Sequence, residues 1–360
     1  MNIHGDFMIR LLCIVLLCLW ISLPQGYAAE NGEYVDEIPM QVIKPNALNK
    51  GDYIGIVAPA SGIEDMDISD AVQKLTSWGY KVKFAPNLFK QAGYLAGTDD
   101  MRAEDLNTFF ADDEVKAILC LRGGYGSSRI LEKLDYDLIV HHPKMLIGYS
   151  DITALHAAIW QKVHMSTFHG AMVIDINDSS LNYTDYSLKH GLASENVSED
   201  GVFPLPDNWQ VEVLNEGTAS GRLIGGNLSV IASLCGTPYE LDGTGNILFI
   251  EEVSEDSYVI DRMLEQLWQN GLLKKVNGIV VGTLRHCEPT EEQAYDYSVK
   301  QVFAHYAKLA NIPVLYNMPI GHGPINGFLP LGVKATIKAD KHNPQLIIDE
   351  NYTNKKELIH

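Results

Sequence analysis

Between Tyr53 and Trp160 the chain alternates short apolar runs with stretches of helical spacing, and this alternation restricts the fold more than any other feature. Tyr53-Ile54-Gly55-Ile56-Val57-Ala58 is apolar throughout rather than on one side, and Pro59 ends it. That pattern suits a parallel strand covered on both faces. Ile68, Val72, Leu75 and Trp78 then recur at helical spacing and stop at Gly79. Val82 and Phe84 suit a second strand, and Met101 to Phe110 reads as a helix. Ala117 to Leu121 is a third strand, Arg129 to Leu134 opens another helix, and Met145-Leu146-Ile147 is a fourth strand before a helix from Ile152 to Trp160. Parallel neighbours need long crossovers, which these helices supply, so residues 44–176 are expected to form a layered α/β domain with a parallel sheet.

The stretch from Asn177 to Asn215 is dense in Ser, Asp, Asn and Pro, and reads as a loop-rich linker over 177–215. Beyond it, Gly225-Gly226-Asn227 precedes a helical run to Leu234. Strands are expected at Ile247 to Ile250, Gly278 to Gly282, Val314 to Tyr316, Val333 to Ile337 and Leu346 to Ile348. Helices fit Val259 to Trp268 and Tyr295 to Leu309. This predicts a smaller C-terminal α/β domain over 216–349, richer in short strands. A length of 360 residues with 46% hydrophobic content favours two domains over one. The net charge of −19 argues against a nucleic-acid partner, which rewards basic surfaces. An anionic ligand would have to be drawn by local backbone N–H groups or an isolated Arg.

The first thirty residues have a different character. Arg10 precedes an uncharged apolar run from Leu11 to Leu23, then Pro24 and Gly26-Tyr27-Ala28-Ala29. This is the order of a secretory signal, so residues 1–29 are expected to be removed and the mature protein to be exported, to the periplasm. The run is short for a membrane span, and a membrane partner enters only if the segment is left uncleaved. Export leaves Cys120, Cys235 and Cys287, enough for one disulfide at most. Cys120 and Cys235 lie in apolar runs and read as small buried hydrophobes. No cysteine or histidine spacing suggests a metal, and no cofactor motif is present.

Four segments could carry chemistry. Gly148-Tyr149-Ser150-Asp151 lies between an apolar strand and a helix, where a turn can hold a hydroxyl out toward helix N–H groups. Ile152 stands where the hydrolase elbow motif has its second Gly, and from spacing alone Ser150 suits an N-cap equally well. Arg122-Gly123-Gly124-Tyr125-Gly126 can bring bare N–H groups to a ligand, or can be a plain βα turn. Glu251 ends the strand-like run Phe249-Ile250-Glu251-Glu252, at the end of a strand where α/β proteins bind ligands. His322 lies among turn-formers in Gly321-His322-Gly323-Pro324 and could act as a general base, or be a surface histidine.

In this order, together with Tyr94-Leu95-Ala96-Gly97-Thr98-Asp99, Arg102, Thr167-Phe168-His169-Gly170, Gly225-Gly226-Asn227-Leu228 and Ile260-Asp261-Arg262-Met263-Leu264, these segments resemble the LD-carboxypeptidase family, which includes the microcin C immunity-type peptidases. The likeness runs from about Lys44 to about Asp340. It implies a triad with Ser150 as nucleophile, His322 as general base and Glu251 as its orienter. It also implies an oxyanion hole from the backbone N–H of Asp151 and of Gly124 or Gly123. The substrate implied is a murein tetrapeptide cut between the L-centre of meso-diaminopimelate and terminal D-Ala, with no metal or cofactor. Two other readings stand beside it: an immunity-type peptidase acting on aminoacyl-nucleotide conjugates, and a non-catalytic muropeptide-binding protein. A homodimer is compatible with all three. The family has Glu-Asp where this chain has Glu251-Glu252. Amino-terminal sequencing of the exported form is expected to start near Ala29 or Glu30, and full-length protein in the cytosol would contradict the signal.

Overall fold

The computed structural model describes residues 41–63, 67–176, 182–293 and 295–354. The expected leader, 1–29, lies outside them. The first apolar runs form parallel strands, as their spacing requires: β1 (Tyr53–Val57), β2 (Lys81–Phe84), β3 (Val115–Cys120), β4 (Met145–Gly148) and β5 (Thr167–His169). Their spatial order is β5-β4-β3-β1-β2. The crossovers carry α1 (Ser69–Ser77), α2 (Asp99–Ala111), α3 (Tyr136–His141) and α4 (Thr153–Val163). All four residues of β4 are buried, as are five of the six in β3, because helices lie over this sheet. Thr98 starts α2 by accepting the Met101 N–H on its hydroxyl, and Asp99 and Asp100 sit favourably in the first turn.

The stretch expected to be loop-rich departs from that reading. After α5 (Val173–Ile176), residues Asn182–Ala193 form α6, twelve residues long. Its sequence is polar, but Leu188 and Leu192 are buried, and Thr184 and Ser187 receive the N–H groups of Asn326 and Phe328. Tertiary packing therefore stabilises a helix that composition disfavours.

A second sheet follows. Its elements in chain order are β6 (Glu212–Asn215), β7 (Gly217–Asn227), α7 (Leu228–Leu234), β8 (Ile247–Val253), α8 (Ser257–Gln269), α9 (Leu272–Lys275), β9 (Gly278–Arg285), α10 (Val299–Ala310), β10 (Val314–Tyr316), β11 (Leu329–Leu331), β12 (Lys334–Ala339) and β13 (Gln345–Ile348). Seven of these strands are ordered β13-β12-β7-β8-β9-β10-β6, with β7, β8, β9 and β10 mutually parallel at the centre. Helix α10 begins later than its apolar spacing suggests, because Ser298 and Gln301 form a reciprocal capping box. Strand β11 joins the first sheet instead, antiparallel to β5, pairing Leu329 with His169 and Leu331 with Thr167. Pro330 is tolerated there because β11 is an edge. No helix among the described residues is long and apolar enough to cross a membrane.

One buried cation ties the loops at the carboxyl ends of the first sheet. Arg102, on α2, is 1% exposed. Its guanidinium donates to the Pro59 carbonyl after β1, to the Gly126 carbonyl after β3 at 2.8 Å, and to Asp99. Removing it leaves two buried carbonyls without their donor. Replacement of Arg102 by Met is expected to lower the unfolding free energy by about 3 kcal/mol in urea titration; an unchanged midpoint and slope would show that the loops hold without it.

Candidate active site

The β4 strand ends at Gly148, and after Tyr149 the chain enters a short 3-10 turn, Ser150–Ile152, that leads into α4. Ser150 is forced to φ +63°, a left-handed conformation that a residue with a side chain adopts only under local constraint. A nucleophile elbow requires a turn of this kind, and Ser150 is not an N-cap: Tyr149 caps the short turn and Ile152 the helix, neither with a side-chain hydrogen bond. Within the turn, the Ile152 N–H donates to the Tyr149 carbonyl at 3.3 Å. The Asp151 carboxylate accepts the Ser127 N–H at 2.8 Å, fastening the elbow to the loop after β3.

That loop stands directly against the serine. A Cβ on Gly123 would fall 2.9 Å from Ser150 Cβ and 3.0 Å from its Oγ, so only glycine admits this approach. The Asp151 nitrogen lies 3.4 Å from the same point. Ser61 Oγ accepts the Tyr125 N–H at 3.1 Å and fixes the far side of the loop, while Arg102 holds Gly126. Among the described residues, the N–H groups of Gly123 and Gly124 donate to no backbone or side-chain acceptor. Of the expected oxyanion donors, Asp151 and Gly123 therefore lie beside Ser150, while Gly124, next along the loop, packs against Ser61.

The second sheet contributes the acid and the imidazole. Glu251 sits at the carboxyl half of β8 with no exposed side-chain surface, and its Oε2 accepts two hydrogen bonds from one residue. His322 Nδ1 is 2.6 Å away and the His322 backbone nitrogen 3.1 Å. A Cβ on Gly321, at φ +111°, would overlap Glu251 Cβ at 2.7 Å; glycine is what lets the loop close on the strand. Asn326 Oδ1 accepts the Gly321 N–H at 2.9 Å. Burial pushes the His322 pKa down, but the bond and charge of Glu251, with the further charges of Glu252 and Asp175, outweigh it, and the net shift is upward. With Nδ1–H directed at Glu251, Nε2 is left free to accept a proton.

The two halves meet through Tyr149, which sequence reading passed over. Its ring packs edge-on against His322 with centroids 4.8 Å apart, and its hydroxyl donates to Asp175 at 3.1 Å. Beneath it lies His169, fully buried, against Tyr149 at 5.6 Å and Phe249 at 4.9 Å. A second tie joins α4 to β7, where Thr153 Oγ1 accepts the Asn227 N–H at 2.9 Å. No hydrogen bond links Ser150 Oγ to His322 among the described residues; beside the serine, the halves touch through the Tyr149 ring. Glu252, beside the acid, is structural: it accepts from Asn227 Nδ2 at 2.8 Å and from the Ser229 N–H and hydroxyl at 2.7 and 2.6 Å. Only its position after Glu251 flagged it in the sequence, and Tyr149 carried no signal beyond adjacency to Ser150.

Among the described residues the three cysteines are free thiols: Cys120 and Cys287 are buried and Cys235 is partly exposed. Burial pushes the Cys120 thiol far above its ordinary range, which leaves it protonated beneath the elbow. Among the described residues no group of three His, Cys, Asp or Glu side chains is placed to hold a metal ion.

Residues 54–170 match the LD-carboxypeptidase N-terminal domain, and residues 220–337 match the LD-carboxypeptidase C-terminal domain. A Bacillus subtilis (strain 168) protein named "Probable murein peptide carboxypeptidase" is 42% identical over 297 residues, 82% of this chain and 91% of that protein. The murein tetrapeptide carboxypeptidase of Pseudomonas aeruginosa is 30% identical over 292 residues, 80% of this chain and 94% of its own. Among solved structures, the microcin C7 self-immunity protein MccF in complex with aspartyl sulfamoyl adenosine superposes with a TM-score of 0.77 at 28% identity, covering 87% of this chain and 100% of that one. The two matched segments contain the serine elbow on one side and the Glu251–His322 pair on the other, and by both sequence and fold the chain belongs to the LD-carboxypeptidase family of peptidases.

Proposed function

We propose that this protein is a serine-type LD-carboxypeptidase that cleaves the bond between meso-diaminopimelate and terminal D-Ala in murein tetrapeptides, through an acyl-enzyme formed on Ser150. The observation that carries the reading is a Ser at positive φ pressed against Gly123, with a carboxylate-bound histidine packed on the residue before it. In this mechanism His322 Nε2 takes the Ser150 hydroxyl proton as Oγ attacks the scissile carbonyl carbon. The N–H groups of Asp151 and Gly123 or Gly124 receive the negative oxygen of the tetrahedral intermediate. As the C–N bond breaks, His322 returns the proton to the leaving D-Ala nitrogen, and water then releases the acyl group by the same route. Glu251 keeps the imidazole in the productive tautomer and stabilises it when charged. The reading extends to export: substrate in the periplasm would be the wall itself or peptides shed from it.

A second reading has one observation in its favour. Tyr94 and Tyr125, both exposed, stand with ring centroids 5.8 Å apart, and Tyr125 directly follows Gly124. Such a pair could stack on a base, as an aminoacyl-nucleotide substrate would need. The two are separated by supplying purified protein with a defined murein tetrapeptide and, in parallel, with aspartyl sulfamoyl adenosine. Release of D-Ala is expected, and Ser150→Ala should lower it about 10⁴-fold or more. Cleavage of the nucleotide conjugate alone would favour the second reading, and turnover of neither would leave a muropeptide-binding protein.

The raised His322 pKa sets the acid limb of activity. The neutral imidazole is the active base, and the carboxylates around it hold its proton, so kcat/KM should climb with pH through a midpoint above the ordinary histidine value of about 6.5. Glu251→Gln removes the largest source of that upward pull. It is expected to move the midpoint to lower pH and to reduce the plateau about 10⁴-fold. A midpoint that stays in place would mean that another group titrates.

A further inference from the structure

A peptidase that removes one terminal residue must recognise a free carboxylate, and on a chain of net charge −19 that requires a local cation. Arg102, Arg129 and Arg222 are already engaged, the first two with Asp99 and the third with Glu350. Arg262 lies over the Tyr258 ring. Arg122 precedes Gly123, on the Ser150 side of the site, with its Nε buried and making no hydrogen bond among the described residues. Arg285 differs from all of these. It ends β9 on the His322 side of the site, is exposed, and has no carboxylate within ion-pair distance among the described residues. Its Nη1 donates to the His322 carbonyl at 3.4 Å and its Nε to His286 Nε2 at 3.1 Å, so one face of the guanidinium is anchored and the rest faces solvent. It also lies near Tyr149, where its charge pulls against the burial that pushes the phenol pKa up.

The chemistry of the leaving group fixes where a carboxylate-binding cation has to stand. In the departing residue the nitrogen and the carboxylate are bonded to the same Cα. Whatever protonates the nitrogen must therefore have the carboxylate's partner at its side. His322 protonates that nitrogen in the mechanism above, and the Arg285 guanidinium donates to the backbone carbonyl of the same residue. We propose that Arg285 binds the terminal carboxylate of the substrate and so makes the site a carboxypeptidase rather than an endopeptidase; the assignment rests on the carboxypeptidase reading given above. A guanidinium suits the role because its parallel N–H groups match a carboxylate and its charge does not titrate.

The test compares kcat/KM for a tetrapeptide ending in free D-Ala with that for the same peptide ending in D-alaninamide. The wild type should prefer the acid. In Arg285→Ala the acid-to-amide ratio should collapse by about 10- to 100-fold, with most of the loss in KM for the acid. Arg285→Lys should recover part of it, having the charge without the fork. The position is exposed, and an unchanged melting temperature serves as the folding control. An Arg285→Ala enzyme that keeps the wild-type ratio overturns the assignment, as does a wild type that cleaves acid and amide equally. A wild type that cleaves neither removes the carboxypeptidase reading itself, before any variant is made.

Discussion

A single carboxylate oxygen organises the site. Glu251 Oε2 receives both the backbone N–H and the ring N–H of His322, and no part of the Glu251 side chain reaches solvent. Burying a charge in this way is unfavourable unless its partners are close and directed, and here they come from one residue in a glycine-hinged loop. The loop is in turn held by Asn326, whose N–H is taken by Thr184 on α6. The position of the imidazole thus depends on a chain of contacts that begins at β8 and ends on a helix from the region between the two sheets. Loss of the acid would affect more than the tautomer, because it would release the backbone that places His322.

Around that bond the electrostatics are arranged by burial. Glu252 and Asp175 add negative charge near His322, and burial pushes the pKa of both upward. Asp175 is tied to the Tyr149 hydroxyl and to the Met172 N–H, so its charge reaches the site through a ring that touches the imidazole. On the opposite side, Arg102 and the Asp151 carboxylate hold the glycine loop, with Gly123 against Ser150. Each half of the site is rigid for a separate reason. The face between them combines the Tyr149–His322 ring contact with the hydrogen bond from the Asn227 N–H to Thr153 Oγ1.

The alternation of apolar runs and helical spacing made the first sheet legible, because parallel strands buried on both faces have no other pattern. Ser150, Glu251 and His322 could be picked out from their surroundings: Ser150 just past the end of β4 at Gly148, Glu251 in the carboxyl half of an apolar strand, and His322 among turn-formers. Convergence was not legible from spacing, since 101 positions separate the first two and 71 the last two; it came from resemblance. Helix α6 was invisible because its stability comes from Leu188, Leu192 and two side-chain hydroxyls that receive backbone N–H groups from residues near 326 and 328. Tyr149 and Arg285 were missed because their roles are contacts across the fold, with no local signature.

Strand β11 has a consequence for how the molecule is assembled. It is drawn from residues 329–331, past five of the seven strands of the second sheet, yet it pairs with β5 and covers that edge of the first. Until it arrives, β5 presents open N–H and C=O groups and an uncovered edge suited to wrong partners. Phe168 also waits for Phe328, stacked on it at 5.1 Å, to complete that corner of the core. The amino-terminal half therefore cannot mature during synthesis and be joined later by an independent partner. Contacts this distant in sequence make for slow, all-or-none acquisition of the native state. A peptidase built this way stays inert until nearly its whole length is folded, with no separate pro-segment needed to silence it.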